Sequence, residues 1–160
     1  MTAQYQTANY STPANLTIAM ENIASSATEA AGVYGTFVDN RTTGYTVIHC
    51  YAKWTGGTNA LAGTTRFYPL RSDGTTYPDS ITQATGGAWT MNTGQKPTSP
   101  IARVGVMPTN TTGGAFTLSF KIHDPGPYWS VGNMHDTGVN SQVTAGNFLI
   151  SWVGERGESQ

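Results

Sequence analysis

The chain has 160 residues, which suits a single domain whose hydrophobic core needs no disulfide bonds. Charged residues make up only 11% of it, against roughly 25% in ordinary soluble domains, and the formal net charge is −1. The lysines and arginines are scattered, which argues against nucleic-acid binding. The sequence contains no run of about 18 apolar residues, so no membrane-spanning helix is predicted. An aromatic share of 11% argues against disorder and favours short strands joined by turns.

Residues 1–13 have no clear hydrophobic period and end at Pro13. Two interpretations of this segment stay open. It is either a frayed terminus or an extended arm that lies on a neighbouring subunit, with Tyr5 and Tyr10 as anchors. Because the segment lacks the charged start and apolar stretch of a signal peptide, we expect a folded cytoplasmic product with no export step.

Strand signals dominate the rest of the chain. Apolar side chains alternate with Thr or Ala over residues 16–20, which predicts a strand with one buried face. Residues 22–32 are rich in small side chains and support a helical turn at most, whereas residues 39–44 are typical of a turn. The strongest strand covers residues 45–54, which are dense in β-branched and aromatic types. Further strands are predicted over residues 33–38, 66–70, 101–107, 115–122, 128–134 and 147–153.

Loops and turns separate these strands. Residues 55–64 form a Gly-rich loop, and Asp73-Gly74 is typical of a tight turn. Pro69 indicates that the strand over residues 66–70 lies at an edge or a bulge. Residues 77–100 are polar and irregular, with short strand candidates at 80–82 and 88–91.

The resulting prediction is an all-β, single-domain, antiparallel β-sandwich or jelly-roll-like barrel of about eight or nine strands. Its parts are an extended N-terminal arm over residues 1–13, a β-sandwich domain over 14–154 and a polar tail over 155–160.

No motif predicts an enzyme, a cofactor site or a metal site. The pairs His123-Asp124 and His135-Asp136 lie beside turns and lack the helical spacing or further ligands of a zinc site. Cys50 is the only cysteine and lies in an apolar stretch, so it is expected to be a small buried residue. Trp89 is the tryptophan expected to make an exposed contact, with a sugar or another subunit, because its surroundings are loop-rich. The other three tryptophans are expected in the core.

Several segments, taken in order, resemble a family of small virion proteins of tailed bacteriophages. Residues 16–24 (LTIAMENIA) are similar to its TITLASLA-like strand, and residues 38–40 (VDN) followed by Tyr45 are similar to its next turn and strand. The matching later segments are residues 73–77 (DGTTY), 100–106 and 129–138. The chain departs from the family pattern at Thr46, near an expected Leu-Asp pair, and at Ser130, where the family has glycine.

The resemblance implies a non-enzymatic structural component of the virion, in the head or the tail. We expect a capsid decoration, or cement, protein that binds the outer capsid surface and stabilises the head. Its expected partners are copies of itself, as a homotrimer, and the major capsid protein, with no cofactor, nucleic acid or membrane. The expected inter-subunit contacts are Tyr5, Tyr10, Pro13 and Trp89. The alternative is a tail or receptor-binding component that contacts host glycans.

Overall fold

A computed structural model describes residues 6–25, 31–56, 64–77, 86–90, 102–104, 115–141, 143–144, 146 and 148–159. In these residues the chain forms eleven strands and no helix. The strands are β1 (Gln6–Tyr10), β2 (Ala14–Asn15), β3 (Ala31–Tyr34), β4 (Val38–Asp39), β5 (Val47–Thr55), β6 (Thr65–Ser72), β7 (Gly87–Thr90), β8 (Ala102–Val104), β9 (Ala115–His123), β10 (Tyr128–His135) and β11 (Leu149–Ser159). Over the described ranges, no helix is long and apolar enough to cross a membrane.

The strands form two antiparallel sheets. The five-stranded sheet has the order β1-β11-β5-β9, and β2 also pairs with β11. The six-stranded sheet has the order β7-β3-β10-β6-β8, and β4 also pairs with β10. The predicted all-β sandwich is therefore confirmed, and in the described part of the chain the sheets are open and do not close into a barrel.

The core lies between the inward faces of the two sheets. On β5, the alternate side chains of Ile48, Cys50, Ala52 and Trp54 are buried, as expected for a strand with one face on the core. The stacked rings of Phe67 on β6 and Phe120 on β9, 5.6 Å apart, join the sheets. Each fully buried side chain of this size stabilises the fold by about 1.5–3 kcal/mol.

Two predicted tryptophans and the cysteine occupy this core as expected. Trp54 and Trp129 are buried, while Trp152 is half-buried and meets Trp129 edge to face at 5.1 Å. Cys50 is buried, and desolvation raises the pKa of its thiol to about 12. A thiol in that state is inert at neutral pH.

The predicted strand over residues 16–20 is wrong, because only Ala14–Asn15 pairs with β11. Leu16 still donates its N–H to Ile150 O, and Thr17 O accepts from the N–H of Thr36. Leu16 and Met20 are buried without a regular ladder. The apolar alternation over residues 16–20 therefore reflects burial of alternate side chains, and an irregular segment that packs on the core can produce the same pattern as a strand.

The predicted strand over residues 33–38 is interrupted in the structure at Gly35. The Leu16 side chain packs so closely there that a β-carbon on Gly35 would lie 2.6 Å from Leu16 Cδ2. Gly35 donates its N–H to Val131 O, and its own carbonyl accepts from the buried Ser130 hydroxyl at 2.7 Å. The chain resumes pairing with β10 only at Val38–Asp39.

The strand that contains Pro69 is not an edge strand of the described sheet, contrary to the prediction, because β6 lies between β10 and β8. Beyond Phe67, which forms the last described pair with β8, comes Pro69. It is opposite Val131 on β10, and Val131 turns its carbonyl away towards Gly35. The nitrogen of Pro69 therefore faces the other side of β6, where β8 pairs only with residues 65–67 in the described chain. Among the described residues, the missing N–H of Pro69 therefore leaves no ladder bond unmade.

Candidate interaction surfaces

The predicted N-terminal arm pairs with its own chain over the described residues. β1 runs antiparallel to the end of β11, from Gln6 opposite Ser159 to Tyr10 opposite Glu155. Of the four expected contact residues, Tyr10 is 56% exposed and Pro13 is exposed. Tyr5 lies outside the described residues. Trp89 lies opposite Gly32 on β7, and its side chain is outside the described part of the structure.

β1 and the end of β11 form a two-stranded ribbon that runs past the rest of the sheet. β5 begins at Val47, which is opposite Glu155, so residues 156–159 pair only with β1 among the described residues. The predicted polar tail is thus strand throughout its described length. An isolated two-stranded ribbon is only marginally stable in water, and its side chains at Ala8, Asn9 and Arg156 are exposed.

The backbone direction along β1 follows from two reciprocal hydrogen bonds. Ser11 donates its N–H to Gly154 O, and Gly154 donates its N–H to Ser11 Oγ, so Ser11 faces β11. Since successive residues of a strand point their backbone groups to opposite sides, Thr7 and Asn9 also face β11. Ala8 and Tyr10 therefore turn their N–H and C=O groups to the outer edge of β1, which pairs with no other described strand.

A polar cluster anchors the base of this ribbon. His49 Nε2 lies 2.5 Å from Glu155 Oε2, and the Tyr10 ring meets the His49 ring edge to face at 5.7 Å. The three residues belong to β5, β11 and β1, so the contact ties the edge strand to the body of the sheet.

The outward face of the five-stranded sheet carries a second surface, which we call the Tyr51 face. It consists of the outward side chains around Tyr51 on three neighbouring strands. They are Lys53 and His49 on β5, Thr117, Ser119 and Lys121 on β9, and Leu149 and Ser151 on β11.

Tyr51 stands between two depressions of this face. The larger, of about 490 Å³, is lined by Tyr51, Lys53, Thr117 and Leu149 among others. The smaller, of about 180 Å³, lies towards His49 and Lys121. Tyr51 and Ser119 line both, and Tyr51 is 59% exposed. The strand predicted over residues 45–54 contains Tyr51, and the alternation of Tyr51 with the buried Cys50 places it on the outward face, but its exposure was not predicted.

The two His-Asp pairs have structural roles in the described chain. His135 is buried, with Nε2 donating to Ile23 O at 3.0 Å, and burial lowers its pKa. Asp136 accepts the N–H and hydroxyl of Thr64 and lies 3.5 Å from Arg66 Nη2. The carbonyls of His123 and Asp124 both accept from the Arg71 guanidinium at 2.8 Å.

Within the described ranges, no three His, Cys, Asp or Glu side chains converge as metal ligands would. No protein-family model, curated protein or solved structure matches the chain.

Proposed function

We propose that this protein is a non-enzymatic structural component of a bacteriophage particle that decorates the outer surface of the capsid. The observation that carries the proposal is the two-stranded ribbon, whose β1 edge pairs with no other described strand. An uncharged edge strand without proline is a ready template for pairing with another chain, and β1 reads Gln-Thr-Ala-Asn-Tyr. The ordered resemblance to phage virion proteins and the low charge of the chain also support it.

In this proposal the ribbon makes the contact with a neighbouring subunit. The outward N–H and C=O groups of Ala8 and Tyr10 pair with a strand edge of a neighbouring subunit, which is β-strand addition. The exposed Tyr10 ring supplies an apolar anchor beside that edge. A head-to-tail contact of this kind closes a ring when the rotation permits, which agrees with the expected homotrimer.

Stabilisation of the head then follows from avidity. Each protomer makes a modest contact with the major capsid protein, and protomers that are joined to one another bind as one unit with a high effective concentration. A β-sandwich suits this role because its packed core keeps the contact edges at fixed positions relative to one another when the capsid is under pressure.

The test uses Ala8→Pro, with Ala8→Ser as the matched control. Proline at position 8 removes an outward N–H but leaves the bonds of Thr7 and Asn9 to β11 intact, so we expect both variants to melt like the wild type. In co-sedimentation with empty expanded phage heads, wild type and Ala8→Ser should bind at a fixed stoichiometry, whereas Ala8→Pro should lose most of its binding. The mass of each variant in solution shows whether the trimer is lost as well.

Unchanged head binding by Ala8→Pro would reject the ribbon as the contact with a neighbouring subunit. Absence of head binding by the wild type would reject the capsid role and favour the tail or receptor-binding alternative, for which the Tyr51 face is the supporting observation.

A further inference from the structure

We propose that the Tyr51 face is a binding site for an acidic oligosaccharide. This function is separate from the capsid role, because the ribbon and the Tyr51 ring use different residues. The proposal rests on an exposed aromatic ring, a surrounding set of hydroxyl groups and two lysines that make no ion pair with a described residue.

The aromatic ring is accessible from two sides. The depressions of about 490 and 180 Å³ flank Tyr51, so a ligand that spans both would lie across its ring. Apolar C–H groups of a sugar pack well against an aromatic surface, and the phenol hydroxyl remains available for a hydrogen bond. Leu149, 41% exposed, extends the apolar part of the larger depression.

Hydroxyl side chains surround this ring. Ser119 and Ser151 lie directly opposite Tyr51 on the two neighbouring strands, and Thr117 lies opposite Lys53. Each hydroxyl both donates and accepts, which matches the hydroxyls of a saccharide. A protein partner fits this face less well, since lysine and serine are depleted in protein interfaces relative to the rest of the surface.

The charge of the face selects an acidic ligand. Lys53 and Lys121 make no ion pair with a described residue. Among the described residues, the carboxylate of Glu155 lies beside this face, and it is engaged by His49. Lys121 on β9 lies opposite His49 on β5, and His49 and Lys53 are four residues apart along β5. The two lysines are therefore separated by about 13 Å along the strand direction. That spacing suits an oligosaccharide with acidic groups on either side of the stacked sugar.

The experiment uses the full chain and a panel of immobilised acidic and neutral oligosaccharides, followed by titration calorimetry with the strongest binder. We expect an acidic member to bind, with an affinity that weakens as salt is added. Tyr51→Ala should lower the affinity at least tenfold. The double variant Lys53→Gln with Lys121→Gln should lose several-fold affinity and most of the salt dependence.

Val143→Ala is the control, because Val143 is 68% exposed and does not line either depression. It should bind like the wild type, and all variants should keep the wild-type melting temperature because the substituted side chains lie on the surface.

Absence of binding across the panel, or equal binding by Tyr51→Ala, would overturn the proposal. So would loss of head binding in Tyr51→Ala without any saccharide binding, since the face would then be a protein contact. Ala8→Pro, which tests the capsid role, should leave saccharide binding unchanged.

Discussion

The two outward faces of the sandwich have opposite environments. On the five-stranded sheet, Tyr51 is 59% exposed, whereas on the six-stranded sheet Tyr68 is 3% exposed. Tyr68 belongs to a second hydrophobic cluster with Tyr34, Leu70 and Met134, and Phe37 packs against it. The Tyr77 ring meets Phe37 at 5.0 Å, so residues between the strands help to cover this face.

The difference shows that only one outward face of the described sandwich is available for contacts. β9 alternates between exposed positions and buried or half-buried ones, as a strand with one wet face does. β10 is buried at nearly every position, which is typical of a strand covered on both sides. The Tyr51 face is therefore the broad surface on which a ligand can lie, and the covered face contributes to stability.

The largest expected effect compares the same residue type on the two faces. Tyr68→Ala should destabilise the protein by about 3–5 kcal/mol, because it opens a cavity in a packed cluster and removes the hydroxyl that donates to Met134 Sδ at 3.3 Å. Tyr51→Ala should change the free energy of unfolding by no more than about 0.5 kcal/mol. Urea unfolding of both variants measures the contrast, and equal losses would refute it.

A smaller effect compares two turn glycines with positive φ. Gly74 (φ 98°) lies against the half-buried Tyr128, and a β-carbon there would be 2.5 Å from Tyr128 Cε2. Gly44 (φ 62°) has open space around it. We expect Gly74→Ala to cost about 2–4 kcal/mol, from backbone strain and overpacking together, and Gly44→Ala about 1 kcal/mol from strain alone. Thermal unfolding distinguishes the two, and a Gly44→Ala loss as large as that of Gly74→Ala would show that steric contact is unimportant.

A third prediction concerns acid stability through His135. Burial lowers the pKa of His135 below its ordinary 6.5, so the unfolded chain binds a proton more readily than the folded one. Stability should therefore be highest above about pH 6.5 and fall as the pH drops below it towards the folded-state pKa. His135→Gln should flatten this slope in unfolding curves recorded from pH 7.5 to 5. The matched control is His123→Gln, which replaces an exposed histidine.

The smallest expected effect is at the exposed Asp73. Its Oδ1 accepts the N–H groups of Thr75 and Thr76 and the Thr75 hydroxyl, and these bonds lower its pKa from 3.8 to about 2. The stabilisation is present above pH 3.8 and is lost as the pH falls towards 2. The amide oxygen of Asn can accept the same hydrogen bonds but without the charge that strengthens them. Asp73→Asn should therefore remove that part of the acid dependence and cause a small loss of stability at pH 7. A nuclear magnetic resonance titration of the carboxyl that gives a value near 3.8 would contradict the prediction.

Much of the architecture followed from local patterns. The period of two in β9, the β-branched and aromatic residues of β5 and the turn at residues 39–44 all correspond to observed elements. Asn40 explains the last of these, since its side chain binds Thr43, Tyr45 and the carbonyl of Gly126. The segment over 16–20 was predicted wrongly because burial and sheet pairing produce the same alternation.

The surfaces were less accessible to prediction. Tyr10 and Pro13 were selected from the sequence and are exposed, but the pairing of β1 with the end of β11 joins residues about 150 positions apart, and no local pattern encodes such a contact. Tyr51 was not selected, because a tyrosine in a strong strand has the same composition signal whether its outward face is wet or covered.

The sequence by itself determined the all-β class, most strand positions, the turns and the burial of Cys50, since these depend on side-chain type, backbone preference and short-range periodicity. Only the tertiary structure decided which outward face is covered, how the first and last strands form a ribbon, and which side chains meet around Tyr51. Those features depend on register between distant strands and on the segments that pack over each sheet, and both are set by the packing of the whole chain.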